Sequence, residues 1–257
     1  MWGFGFILRR FFIVSSNESF NGVRLKLERA EHHIHKLELI FNQWTKANIK
    51  ALRATKHKGR RTIGKPLPRH TPTVLGDALH NLRASLDHAY CVLTEANGGQ
   101  VTRHTKFPFH SNRTDCAASI NGLKPETSPS RVVLDFILDT IQPYQGGDGA
   151  DLYGLHNLDI ADKHTNLIAA DYTFKNTEFK YGNLTFIGGT FVSIGGKAEG
   201  IFEFPTGENF QYHGNPETAF KITIQEGQPF EGRDILDTLK ALQISVTNCI
   251  EALERFS

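Results

Sequence analysis

The sequence predicts an α+β protein: a helical bundle of about five helices with an antiparallel β meander inserted before the C-terminal helix. Three observations carry this. Several long stretches repeat their apolar residues with 4-3 spacing, the period of an amphipathic helix. From Asp171 to about Gln228 the period changes to two, and glycines mark the turns. Two further helical stretches are crowded with His, Asp, Asn and Arg, where a plain surface helix would carry Lys and Glu. The expected organisation is an apolar leader over residues 1–18. One helical-bundle domain then covers 19–257, with the β insertion at about 171–228.

A chain of 257 residues can bury a sizeable core. With 39% hydrophobic and 22% charged residues and a formal net charge of +2, the composition is that of an ordinary soluble globular protein. Such values exclude a disordered or membrane-embedded chain. Cys91, Cys116 and Cys249 are widely spaced and lack metal-ligand spacing. They fit thiols packed as small apolar groups in a reducing compartment such as the cytoplasm. Met1 to Val14 is apolar and aromatic around Arg9-Arg10. A secretory signal places its charge first, and a bilayer span needs about 20 apolar residues, so no membrane role is expected.

The first helix is expected from Ser19 to about Ala47, where Val23, Leu27, Ala30, Ile34, Leu37, Phe41 and Trp44 form one stripe. His32, His33 and His35 lie beside it and read as a solvated face, because they lack the i, i+4 spacing of paired metal ligands. From Lys46 to Arg69 there are nine Lys or Arg and no acid. Subtracting these nine from the formal +2 leaves −7 for the rest of the chain. Gly59, Gly64, Pro66, Pro68 and Pro72 mark the basic segment as an extended or hairpin-like connector. Lys56, Lys58, Arg60, Arg61 and Lys65 are its candidates for contact with a polyanion such as RNA.

The next helix, Thr73 to about Ala96, is the centre of the chain. Leu75, Leu79, Leu82, Leu86, Ala89 and Leu93 form its apolar stripe, and Asn97-Gly98-Gly99 ends it. Asp77, Asn81 and His88 fall opposite that stripe, and His80, Arg83 and Asp87 fall along its border. Phe107-Pro108-Phe109 is a short extended piece that should bury both rings. A helix from Arg131 to Ile141 ends before Pro143, and the glycine-rich turn Gln145 to Gly149 lacks the spacing of a phosphate loop. The helix from Asp151 to about Ala170 has apolar residues all round, the mark of a buried helix. Within it His156, Asp159 and Lys163 form one stripe flanked by Asp162 and His164. Charges on a buried helix are costly unless paired, and the polar groups of the Thr73 helix are the expected partners. Strand candidates begin at Tyr172, Leu184, Phe191, Ile201 and Phe220, and a last helix runs from Gly232 to Phe256.

Arg83 and His88 form an R-x4-H pair. That spacing resembles the catalytic motif of the HEPN superfamily (higher eukaryotes and prokaryotes nucleotide-binding), all-helical domains that include many ribonucleases of defence and toxin systems. The resemblance implies that Arg83 positions the phosphate and His88 helps to activate the ribose 2′-hydroxyl, commonly at a homodimer interface and without a metal or other cofactor. Phosphoryl transfer needs such a cation and such a proton carrier. A longer resemblance, to an uncharacterised family of bacterial and phage-borne proteins, runs through Lys26 to Ile34, Gly76 to His88, Phe107-Pro108-Phe109, Leu155 to Asp159 and Asp162-Lys163-His164. It implies that the two polar helices form a unit and supplies no reaction.

The leading expectation is therefore a metal-independent ribonuclease or RNA-binding protein, with Arg83, His88, His80, Asp87, His156, Asp159, Lys163 and His164 as candidate catalytic residues. Two alternatives stand beside it. His80, Asp87, His156 and Asp159 could ligate one metal ion as in a hydrolase, although neither helix has H-x-x-x-H or E-x-x-H. Or Asp77, Arg83 and Asp87 pair with Lys163 and His164 to lock two helices in register, with His80 and His156 as hydrogen-bonded core histidines, in a non-enzymatic structural or interaction protein.

Overall fold

The computed structural model describes residues 19–54, 61–63, 67–164, 170–181, 184–191, 200–202, 210–213 and 221–257, with side chains described at 19–47, 67–162 and 222–257. The leader and the basic residues Lys56, Lys58, Arg60 and Lys65 lie outside the described residues. The described part is mostly helical. Its helices are α1 (Asn21–Ala54), α2 (Thr71–Ala96), α3 (Arg113–Asn121), α4 (Arg131–Phe136), α5 (Ala150–His164) and α6 (Ile235–Glu254). The described strands are β1 (Arg61–Ile63), β2 (Ala170–Tyr181), β3 (Leu184–Phe191), β4 (Gly200–Phe202), β5 (Phe210–His213) and β6 (Lys221–Ile224).

Helix α2 is the hub: α1, α5 and α6 all pack on it, and both α1 and α5 also touch α6. Its whole stripe, Leu75 to Leu93, is buried, as are Ile235, Leu239, Leu242, Val246, Cys249 and Leu253 of α6. In α1 the stripe from Val23 to Trp44 is buried, with Leu27 partly so. The 4-3 period thus places one face of each helix in a shared core, which supplies most of the stability of such helices.

Helix α1 runs on to Ala54, so Lys46, Lys50 and Arg53 belong to a helix and not to a connector. No Gly or Pro occurs between Lys46 and Ala54, and Ala, Leu, Lys and Arg are strong helix formers. His33 departs from the solvated face expected of it. It is 6% exposed in the α1–α2 contact, and its Nδ1 has no hydrogen-bond partner among the described residues. Helix α2 starts with Pro72 in its first turn, where a missing N–H costs nothing. It ends where Gly98 takes a left-handed φ of 76° and Gly99 N–H donates to the Thr94 carbonyl at 2.9 Å.

Between α2 and α5 the chain adds α3, a helix the periodicity does not announce. Asn112 caps it by accepting from Asp115 N at 2.9 Å. Helix α4 runs into a single π turn, Ile137–Ile141, and stops at Gln142, left-handed with φ 54°, just before Pro143. Helix α5 is amphipathic, which corrects the expectation of a helix buried all round. Leu152, Leu155 and Leu158 are buried, whereas Ile160 is 39% exposed. Its described extent ends at His164, and Ala170 opens β2.

The strands pair antiparallel but not as a simple meander. Strand β2 is central, with β3 on one edge. On its other edge β5 pairs with Glu178–Tyr181 and β6 with Ala170–Thr173. Strand β4 leaves this group and pairs with β1, far upstream. Twelve residues make β2 long enough to hold two short partners end to end along one edge. Neither β1 nor β5 is foreseen by alternation, since three or four residues carry too short a pattern. Ile222 and Ile224 of β6 are buried, and β6 packs against α6.

Candidate functional site

The polar borders of α2 and α5 face each other, and Arg83 stands between them. Its Nε donates to His156 Nδ1 at 3.2 Å and lies 3.7 Å from Asp159 Oδ2. Its Nη1 pairs with Asp87, one turn along the same helix. The guanidinium carbon lies 5.5 Å from the centre of the Phe109 ring. That ring stacks on His156 at 4.7 Å with an interplanar angle of 8°. The Arg83 side chain is only 13% exposed, so its charge is compensated by two carboxylates and an aromatic face instead of water. Asp87 is itself anchored, because its Oδ1 accepts the Phe107 N–H at 3.0 Å. This bond ties the Phe107-Pro108-Phe109 segment to α2 and brings Phe109 over His156.

Asp159 is the buried centre of the group, with a side chain 3% exposed. Its Oδ1 lies 3.2 Å from His80 Nδ1, and the His80 side chain is 50% exposed. The result is an imidazole held by a buried carboxylate through Nδ1 while much of its ring meets solvent. Histidine–carboxylate pairs of this kind fix the ring's orientation and tautomer in general-base sites.

Asp162 lies one turn beyond Asp159, and Gly76 explains how it fits. A Cβ at residue 76 would lie 2.9 Å from Asp162 Cγ and closer still to one carboxylate oxygen. Glycine inside a helix costs about 1 kcal/mol relative to alanine, so its place in α2 needs a cause. The cause is the close approach of the α5 carboxylate to the α2 backbone.

The structure brings together five of the eight expected site residues: His80, Arg83, Asp87, His156 and Asp159. His88 is not among them. It is exposed beside the start of α1, where its Nδ1 would lie 3.6 Å from a Cβ on Gly22. Within one chain the R-x4-H pair therefore diverges, as expected for residues about 140° apart on a helix. Lys163 and His164 belong to α5, and their side chains lie outside the described residues. Arg61 lies in β1, where it is the register partner of Phe202, and its side chain lies outside them too. Asp77 is exposed and Asn81 half-buried on α2, apart from the cluster and joined by an Asn81 Nδ2 bond to the Asp77 carbonyl.

The four-ligand metal reading is corrected by Arg83. Its guanidinium sits between Asp87, His156 and Asp159, where a shared ion would have to sit. Among the described residues no group of three or more His, Cys, Asp or Glu is gathered for a metal. Cysteine nucleophiles are disfavoured on chemical grounds. Burial pushes the Cys116 thiol up to about 11 and the Cys249 thiol up to about 12. Burial, with Asp87 and Glu95 nearby, also raises Cys91 above its ordinary value.

The residue that sequence reasoning missed is Phe109, expected only as core filler. Its signal was faint: two aromatics flanking a proline in an otherwise polar loop. Comparison with protein-family models, with curated proteins and with solved structures finds no match. Among the described residues no helix is long and apolar enough to cross a membrane.

Proposed function

We propose that this protein binds RNA and cleaves it without a metal ion, with His80 as the general base in place of His88. The observation that supports this reading most is the His80–Asp159 pair, a half-exposed imidazole oriented by a buried carboxylate at 3.2 Å. Such an imidazole can take the proton of a ribose 2′-hydroxyl, a contribution of about 10²–10⁴ in rate. The adjacent cluster holds one guanidinium and two carboxylates, so it does not by itself attract a phosphodiester. The basic residues Lys56, Lys58, Arg60, Arg61 and Lys65 supply that attraction in this reading. The resemblance to the HEPN superfamily and to phage-borne bacterial proteins, a cytoplasmic setting and a homodimer belong to the same proposal.

The test is cleavage of a single-stranded RNA oligonucleotide in the presence of a chelator. Products ending in a 2′,3′-cyclic phosphate are expected. An intact oligonucleotide at micromolar protein would contradict the reading. One observation favours a second reading. Arg83 is nearly buried and already engaged by Asp87, His156 and Asp159, as in a non-enzymatic interlock between α2 and α5. That reading expects Arg83 substitutions to lower the melting temperature with no activity to lose.

A further inference from the structure

We propose that the site holds two imidazoles in opposite tautomers: His80 with its proton on Nδ1, and His156 with its proton on Nε2. Its catalytic use rests on the nuclease reading above, whereas the tautomers are argued from two contacts, His80 with Asp159 and Arg83 with His156. Asp159 is a carboxylate and can only accept, so the 3.2 Å contact makes His80 Nδ1 the donor. The lone pair of His80 is then on Nε2. Arg83 has only donors, so the 3.2 Å contact from its Nε makes His156 Nδ1 the acceptor. The proton of neutral His156 is then on Nε2. The Phe109 stack, parallel to within 8°, holds the His156 ring plane in the orientation that this bond requires.

One ring is therefore set to accept a proton and the other to donate a hydrogen bond, across a single Arg83–Asp159 contact. In RNA cleavage His80 Nε2 takes the 2′-hydroxyl proton as the O2′–P bond forms. The P–O5′ bond breaks and its electron pair stays on O5′. O5′ is protonated from solvent, to which His80 releases the proton it took. His156 transfers no proton; its Nε2–H donates a hydrogen bond to a non-bridging phosphate oxygen as charge builds there. Arg83 is a positioning residue for this group, acting through His156.

The tautomers are read directly by two-bond ¹H–¹⁵N correlation spectra of the full chain labelled with ¹⁵N-histidine, with His80→Gln and His156→Gln spectra for assignment. The expected result is His80 in the less common Nδ1–H form and His156 in the Nε2–H form. His80 as Nε2–H, or His156 as Nδ1–H, would overturn the proposal. The donor role has its own comparison in the RNA assay. His156→Phe can keep the stack on Phe109 but has no donor, whereas His156→Gln can accept from Arg83 and still donate. A loss of at least tenfold in cleavage is expected for the first and a smaller loss for the second, at similar melting temperatures. Equal cleavage by His156→Phe and wild type would remove His156 from the chemistry. If wild type cleaves no RNA, the nuclease reading falls while the spectra still decide the tautomers.

Discussion

At the scale of single residues, burial and partnership decide what each polar group contributes. His33 lies in the α1–α2 contact with Asp77, Arg29, His32 and Lys36 around it, and burial lowers its pKa below the ordinary value. The unfolded chain then binds a proton more readily than the folded one. Stability is full above the ordinary histidine value of about 6.5 and is lost as the pH falls below it. His33→Leu should flatten the dependence of the melting temperature on pH between about 7 and 5 and leave the value at pH 8 unchanged or higher. Parallel curves for the variant and wild type would show that His33 does not carry the linkage. Asp159 has the opposite character, being buried and paired. Asp159→Ala leaves Arg83 and His80 without their shared carboxylate, and a loss of about 3 kcal/mol in chemical denaturation is expected. The difference between the two was not legible in the sequence. His33 sits on a helix whose neighbours His32 and His35 are exposed, and a one-residue offset from the apolar stripe does not announce burial.

At the scale of elements, periodicity is a sound guide in the three longest helices, of 20 residues or more, and misleads in the 15-residue α5. The stripes of α1, α2 and α6 name their own buried faces residue by residue. Short elements escaped it, because a nine-residue α3 or a three-residue β1 holds too little pattern to separate from loop. The polar helices were legible as a pair because His, Asn, Asp and Arg are poor choices for a solvated face. Which groups would meet depended on Phe109 and on the depth to which α5 sinks, and neither is encoded locally. The contact between α2 and α5 is set at Gly76. Gly76→Ala should destabilise the protein by about 1–3 kcal/mol despite the better helix propensity of alanine, because its Cβ meets the Asp162 carboxylate. Adding Asp162→Ala should recover part of that loss, and additive losses would show that the two positions do not touch. Asp234 caps α6 by accepting from Leu236 and Asp237 N–H groups at 2.9 and 3.1 Å. Asp234→Ala should cost about 1 kcal/mol, read as a fall of a few degrees in melting temperature.

At the scale of the whole molecule, the bundle positions one half-exposed imidazole over a buried carboxylate, and β6 packs against α6. The sequence alone favoured His88 because R-x4-H is a readable spacing, whereas the pairing of His80 with Asp159 joins residues 79 positions apart and leaves no local trace. The account therefore stands on which histidine moves the proton. RNA cleavage rates of His80→Gln and His88→Gln, measured beside wild type at matched melting temperature, decide it most directly. The account predicts a loss of about 10²-fold or more for His80→Gln and little change for His88→Gln. Wild-type cleavage by His80→Gln would contradict it.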